Sequence, residues 1–255
     1  MNSRTDWLTV LNPERGSGAR LFCFPYAGGG SLIFRRWLPH LKGTVELCAA
    51  QFPGRETRMR ESPVSDLRIL IDALAREIKP FLDRPYAFFG HSMGALVAFE
   101  LARRLRSEGA FEPVHLFLSG RRAPHLPKTD RALHTLPEVE FIEEVIRLNG
   151  TPREVLTHPE LMQILVPLLR ADFAVCQTYK YAPQPPLRSR ITALGGLQDD
   201  WIDHASLDAW REHTSSHFAV RMFPGDHFFL NQTPELPRII AHDLARSSAD
   251  FAGRT

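Results

Sequence analysis

A chain of 255 residues, 44% hydrophobic and 24% charged, has the composition of a folded globular protein and can bury a sizeable core without disulfide or metal staples. Its 31 basic and 29 acidic side chains leave a net charge of +2, too even a balance to point to nucleic acid or to an anionic membrane surface. Cys23, Cys48 and Cys176 are far apart and lack CxxC or Cys/His ligand spacing, so they read as free thiols. With no apolar signal core at the N-terminus, a cytoplasmic protein is expected.

In chain order, short apolar runs at Arg20–Phe24, Thr44–Ala50, Pro85–Phe89, Val114–Ser119, Arg190–Leu194 and His217–Phe223 read as strands. Helical patterns lie between or after most of them, at Leu32–Leu41, Ser65–Leu82, Met93–Glu108, Leu207–His213 and Pro234–Ser247. This alternation predicts an α/β fold with a mostly parallel sheet covered on both faces. In the 65–82 helix, Leu67, Ile71, Leu74 and Ile78 form one apolar stripe, with Ser65 placed as its N-cap. No linker, repeat or low-complexity tract divides the chain, so residues 1–255 read as one domain.

The stretch 121–181 breaks the alternation. It offers no convincing strand, only helical pieces at Glu138–Leu148 and Pro159–Tyr179. It is too long for a structureless loop. Leu161, Ile164, Leu165, Val166, Leu168, Leu169 and Phe173 give the second piece an apolar surface too wide for a helix lying on water. Gln163 and Pro167 interrupt that surface, which leaves no run near the ~20 residues needed to span a bilayer. A helical insertion facing a pocket and an extra core-packing helix pair fit the pattern equally well.

Gly90-His91-Ser92-Met93-Gly94 fits G-x-S-x-G, a weak signal alone. Here it follows an expected strand and opens an expected helix, the setting of a nucleophile elbow. Such a turn lifts the serine Oγ clear of the sheet and puts the Met93 amide at a helix start, where it favours a developing oxyanion. His91, inside the elbow, reads as a shaping residue. The loop Phe24-Pro25-Tyr26-Ala27-Gly28-Gly29-Gly30 follows the first strand. It lacks the Lys-Ser/Thr of a phosphate loop, and Ile33 stands where a dinucleotide loop needs glycine. It reads instead as the second oxyanion donor. Of 11 histidines, His227 is the one in a turn directly after a late strand, which makes it the candidate base. Asp199, Asp200, Asp203 and Asp226 are all within plausible reach as its partner. His213 and His217 have H-x-x-x-H spacing without the metalloprotease glutamate, so no metal site and no cofactor are expected.

Several segments together resemble the stand-alone type II thioesterases that accompany polyketide synthases and non-ribosomal peptide synthetases. They are Phe24–Gly30, Gln51–Glu56, Phe89–Leu96 with Phe99–Ala102, Ser119–Pro124, Pro167–Phe173 and Phe223–Phe229, and the resemblance runs from Leu21 to about Leu244. It implies an α/β-hydrolase fold with a helical lid at 121–181. It also implies hydrolysis of aberrant or stalled acyl groups on the phosphopantetheine arm of carrier proteins. Carried over by position, Ser92 is the nucleophile, His227 the base, and Ala27 and Met93 supply oxyanion amides. Asp199 aligns with the family's acid, although Asp200 stands where proline is common. A carboxylesterase, an acyltransferase and a silent binding protein of the same fold are the alternatives. The basic residues Arg121, Arg122, Arg55, Arg58 and Arg60 read either as an attraction for an acidic carrier or as solvated charge.

Overall fold

The computed structural model describes residues 5–13, 18–41, 43–127, 131–148, 150 and 158–252. Seven strands form one sheet: β1 (Leu8–Val10), β2 (Ala19–Phe24), β3 (Val45–Ala50), β4 (Tyr86–His91), β5 (His115–Ser119), β6 (Arg190–Gly196) and β7 (Phe218–Phe223). Their order is β1-β3-β2-β4-β5-β6-β7. Only β1 runs antiparallel to its neighbour, in register Leu8 with Ala50; the other pairs are parallel. Every residue of β2, β3, β4 and β5 is buried, as expected of strands covered on both faces.

Among the described residues, the helices that accompany the sheet are α1 (Leu38–Leu41), α2 (Leu67–Ile78), α3 (Met93–Ser107), α4 (Glu138–Arg147), α5 (Pro159–Thr178), α6 (His204–Asp208) and α7 (Leu236–Ala252). Because side chains alternate along a strand, Phe22 and Phe24 enter one core with α2 and α3. Leu21 and Cys23 enter another with α1 and α7. Cys23 and Cys48 are buried and Cys176 half-buried, and among the described residues none of the three forms a disulfide. The chain leaves β2 toward β3 on one side, and β4 lies on the other. The crevice beyond the carboxyl ends of β2 and β4 is therefore the switch point where open α/β sheets bind ligands.

Some boundaries differ from the sequence reading. Asp66, not Ser65, caps α2, its carboxylate accepting from the Arg68 amide at 2.8 Å, and Pro80 sits in the 3-10 turn that closes the helix. The expected helix from Leu32 is mostly a 3-10 turn, Ser31–Trp37, running into α1. Strand β1 was not foreseen, since three residues carry too little periodicity.

Helix α5 runs unbroken through Gln163 and Pro167 for 20 residues. By length and composition it could cross a membrane. In this fold Met162, Val166 and Leu169 pack with Leu133, Phe141 and Val145 in a third small core, and Asp172 makes a buried ion pair. The described part of 121–181 is thus both a small core of its own and, as shown below, the wall of a cavity.

Candidate active site

Ser92 stands between β4 and α3 at φ 53°, ψ −111°, a left-handed conformation that costs a non-glycine residue strain. Its amide donates to the Ser119 carbonyl at 2.8 Å, which ties the turn to β5. The flanking glycines are required by contact: a Cβ on Gly90 would lie 2.0 Å from the Gly94 carbonyl oxygen, and one on Gly94 2.0 Å from that of Phe24. Met93 opens α3, and among the described residues none accepts from its amide, one of the orphan donors of a helix N-terminus.

The loop after β2 lies across the crevice. The Gly29 amide turns back to the Tyr26 carbonyl at 2.9 Å, and the Gly28 amide donates to Asp172 Oδ2 at 2.7 Å. Two loop amides are therefore occupied, while among the described residues nothing accepts from that of Ala27. A cavity of about 830 Å³ is lined by this loop and by Ser92, His227, Trp201 and, from α5, Leu165, Leu169 and Phe173.

His227 is buried after β7, and its Nδ1 meets Asp199 Oδ2 at 2.7 Å. The Asp199 side chain has no exposed surface. Its other oxygen accepts from the amides of Trp201 at 2.9 Å and Ile202 at 3.2 Å, so the carboxylate is fixed before it meets the ring. That contact assigns the proton to Nδ1 and leaves the Nε2 lone pair as a base. The other three aspartates are placed differently. Asp200 is exposed at the cavity rim, Asp203 caps α6 through the Ser206 amide, and Asp226 accepts from the Phe228 amide.

His91 is wholly buried, with Nδ1 2.8 Å from Ser119 Oγ and its ring centroid 5.0 Å from that of His227. Burial, then the neighbouring His227, hold it well below the usual histidine range. It is a neutral packing partner of His227. His213 pairs with His125 at 2.8 Å, and among the described residues no cluster could hold a metal.

Two of the five basic residues need correction. Arg55 and Arg58 are buried, Arg55 against Asp172 and Arg58 against Glu61 and the Gln51 carbonyl. They are neither solvated nor open to a partner, because their charge is consumed inside the fold. The Arg55–Asp172 pair was missed in the sequence, where its members are 117 positions apart.

A strained serine at the switch point, a histidine held by a buried carboxylate and a glycine-rich loop with an unclaimed amide beside the same cavity are the arrangement of α/β-hydrolases that act on acyl groups. Within that class, residues 19–244 match the thioesterase domain family, and the chain belongs to it. It is 47% identical over 227 residues to the gramicidin S biosynthesis protein GrsT of Aneurinibacillus migulanus, with 89% of each chain covered. Among solved structures it is similar to the type II thioesterase BorB from the borrelidin biosynthetic cluster, with a TM-score of 0.85 and 35% identity over 94% of this chain and 98% of that one. It is also similar to RedJ, a thioesterase from the prodiginine pathway of Streptomyces coelicolor, with a TM-score of 0.82 and 41% identity over 90% of this chain and 86% of that one. The chain is a thioester hydrolase of the type II thioesterase kind.

Proposed function

We propose that this chain is an editing thioesterase that clears aberrant or stalled acyl groups from the phosphopantetheine arm of carrier proteins in polyketide or non-ribosomal peptide assembly. The observation that carries the mechanism is the His227–Asp199 contact of 2.7 Å beside a cavity that also holds Ser92. Ser92 Oγ attacks the thioester carbonyl while His227 Nε2 takes its proton, and the Ala27 and Met93 amides hold the oxyanion. Collapse breaks the C–S bond, and the proton passes from His227 to the departing sulfur. Water then attacks the acyl-serine, giving its proton to His227, which returns it to Ser92 Oγ. The products are a free acid and the free thiol of the arm. Asp199 holds the imidazole tautomer and stabilises the imidazolium.

The described part of residues 121–181 acts as a helical lid on a single domain, with Leu165, Leu169 and Phe173 facing the acyl chain. The carrier is the macromolecular partner, consistent with relatives from peptide and polyketide pathways, and the enzyme works in the cytoplasm without cofactor, metal, nucleic acid or membrane. The test is hydrolysis of one acyl group presented on a carrier protein and on a free pantetheine mimic. A kcat/KM at least 10-fold higher on the carrier is expected; equal values would remove the carrier from the account. Preference for the matched oxygen ester would favour a carboxylesterase.

A further inference from the structure

The segment Gln51–Glu56 is buried or half-buried beside the glycine loop, yet it contributes no group to the proposed chemistry. Arg55 forms a two-pronged pair with Asp172 of α5, Nη2 to Oδ1 at 2.8 Å and Nη1 to Oδ2 at 2.9 Å. Nη1 also donates to the Gly29 carbonyl at 2.9 Å, and the guanidinium lies 5.4 Å from the centre of the Phe52 ring. Asp172 Oδ2 receives the Gly28 amide as well, at 2.7 Å. One buried ion pair thus grips successive residues of the loop, Gly28 through its N–H and Gly29 through its C=O. Its two side chains are only 5% and 1% exposed, so solvent does not weaken the grip.

Glu56 holds the far end of the same loop. Its carboxylate accepts from Ser31 Oγ and from the Leu32 amide, the latter at 2.9 Å. Gly30 passes so near that a Cβ there would be 2.1 Å from Glu56 Oε1. Glu56 itself sits at φ 51°, strain that persists only where surrounding contacts enforce it.

We propose that Arg55 and Asp172 are positioning residues for the oxyanion loop. They draw the Gly28 amide away from the crevice so that the Ala27 amide is the one presented to it, and they fasten that loop to α5. The inference rests on the reading of Ser92 and Ala27 in the proposed function. Oxyanion donors act only when aimed at the developing charge, and a displacement of about 1 Å can cost on the order of 10²-fold in rate. The pair therefore sets kcat rather than ground-state binding.

The test compares the parent with Asp172→Asn, the double variant Arg55→Met/Asp172→Leu, and Ser92→Ala. Each is assayed for kcat and KM on an acyl thioester, for affinity toward a trifluoromethyl ketone analogue whose adduct bears the oxyanion, and for Tm. The double variant removes both charges together, which often leaves stability nearly unchanged. It separates positioning from folding where the single variant is unstable. Expected for the double variant are a kcat lower by about 10- to 100-fold, KM within about 3-fold, analogue affinity reduced in step with kcat, and a Tm near the parent's. Parental kcat and analogue affinity in a folded double variant would overturn the proposal, as would losses that simply follow Tm across the variants. Parental turnover in Ser92→Ala would instead sink the underlying site, so the two failures are distinguishable.

Discussion

The Asp199 side chain has no exposed surface and makes three hydrogen bonds, while Asp200 beside it is exposed. Asp199→Asn should therefore lower kcat by about 10²- to 10⁴-fold, since the histidine loses its tautomer and its counter-charge. Asp200→Asn should stay within about 3-fold of the parent; steady-state kinetics on one acyl thioester checks both. Gly94→Ala is expected to destabilise by about 1–3 kcal/mol, read by denaturant melts, because its Cβ would strike the Phe24 carbonyl. The positions of Ser92 and His227 at turns directly after strands were legible in the sequence, and those turns are what made them candidates. The acid was not: four aspartates had suitable spacing, the resemblance selected Asp199, and burial is what separates them in the fold. Arg55 was misread for a related reason, since a charged side chain reads as solvated until its distant partner is known.

Helices and strands were legible to the extent that periodicity fixed them. The six longer strands were found to within a residue or two at each end, and the Leu67, Ile71, Leu74 and Ile78 stripe is buried as its spacing required. What escaped was set by contacts rather than by pattern: the three-residue β1 and the cap of α2. Pro167 did not end α5, whose inner side is held by the third core and by Asp172. Leu169 sits over the glycine loop, where a Cβ on Gly28 would meet its Cδ2 at 2.7 Å, and it lines the cavity. Leu169→Ala should enlarge the acyl site and shift relative kcat/KM toward bulkier acyl groups by about 10-fold, in line with the ~1–3 kcal/mol that small apolar differences carry in a pocket. A panel of straight and branched acyl thioesters reads this shift.

Across the whole molecule the α/β class was legible from alternation, but the order of strands was not, and it is the order that opens the crevice between β2 and β4. Stability should be sensitive to acid through buried histidines. Burial lowers His115 to about 3 and His213 to about 4, and holds His91 well below its ordinary value. The unfolded chain protonates these rings near pH 6.5, so below that value it binds more protons than the folded one and stability declines with falling pH. The contribution is complete above about pH 6.5 and is lost as pH drops toward 4 and then 3. His115 is held between Ser247 Oγ and Thr192 Oγ1. In His115→Gln, Tm should therefore fall less steeply between pH 7 and pH 4 than in the parent, as scanning calorimetry would record. The central claim is that the acyl group passes through the oxygen of Ser92, and rapid quenching of a single turnover followed by peptide mass spectrometry tests it most directly. The account predicts a transient acyl increment on the peptide containing Ser92, absent in Ser92→Ala together with nearly all acid release; an adduct on another residue, or undiminished release by the variant, would contradict it.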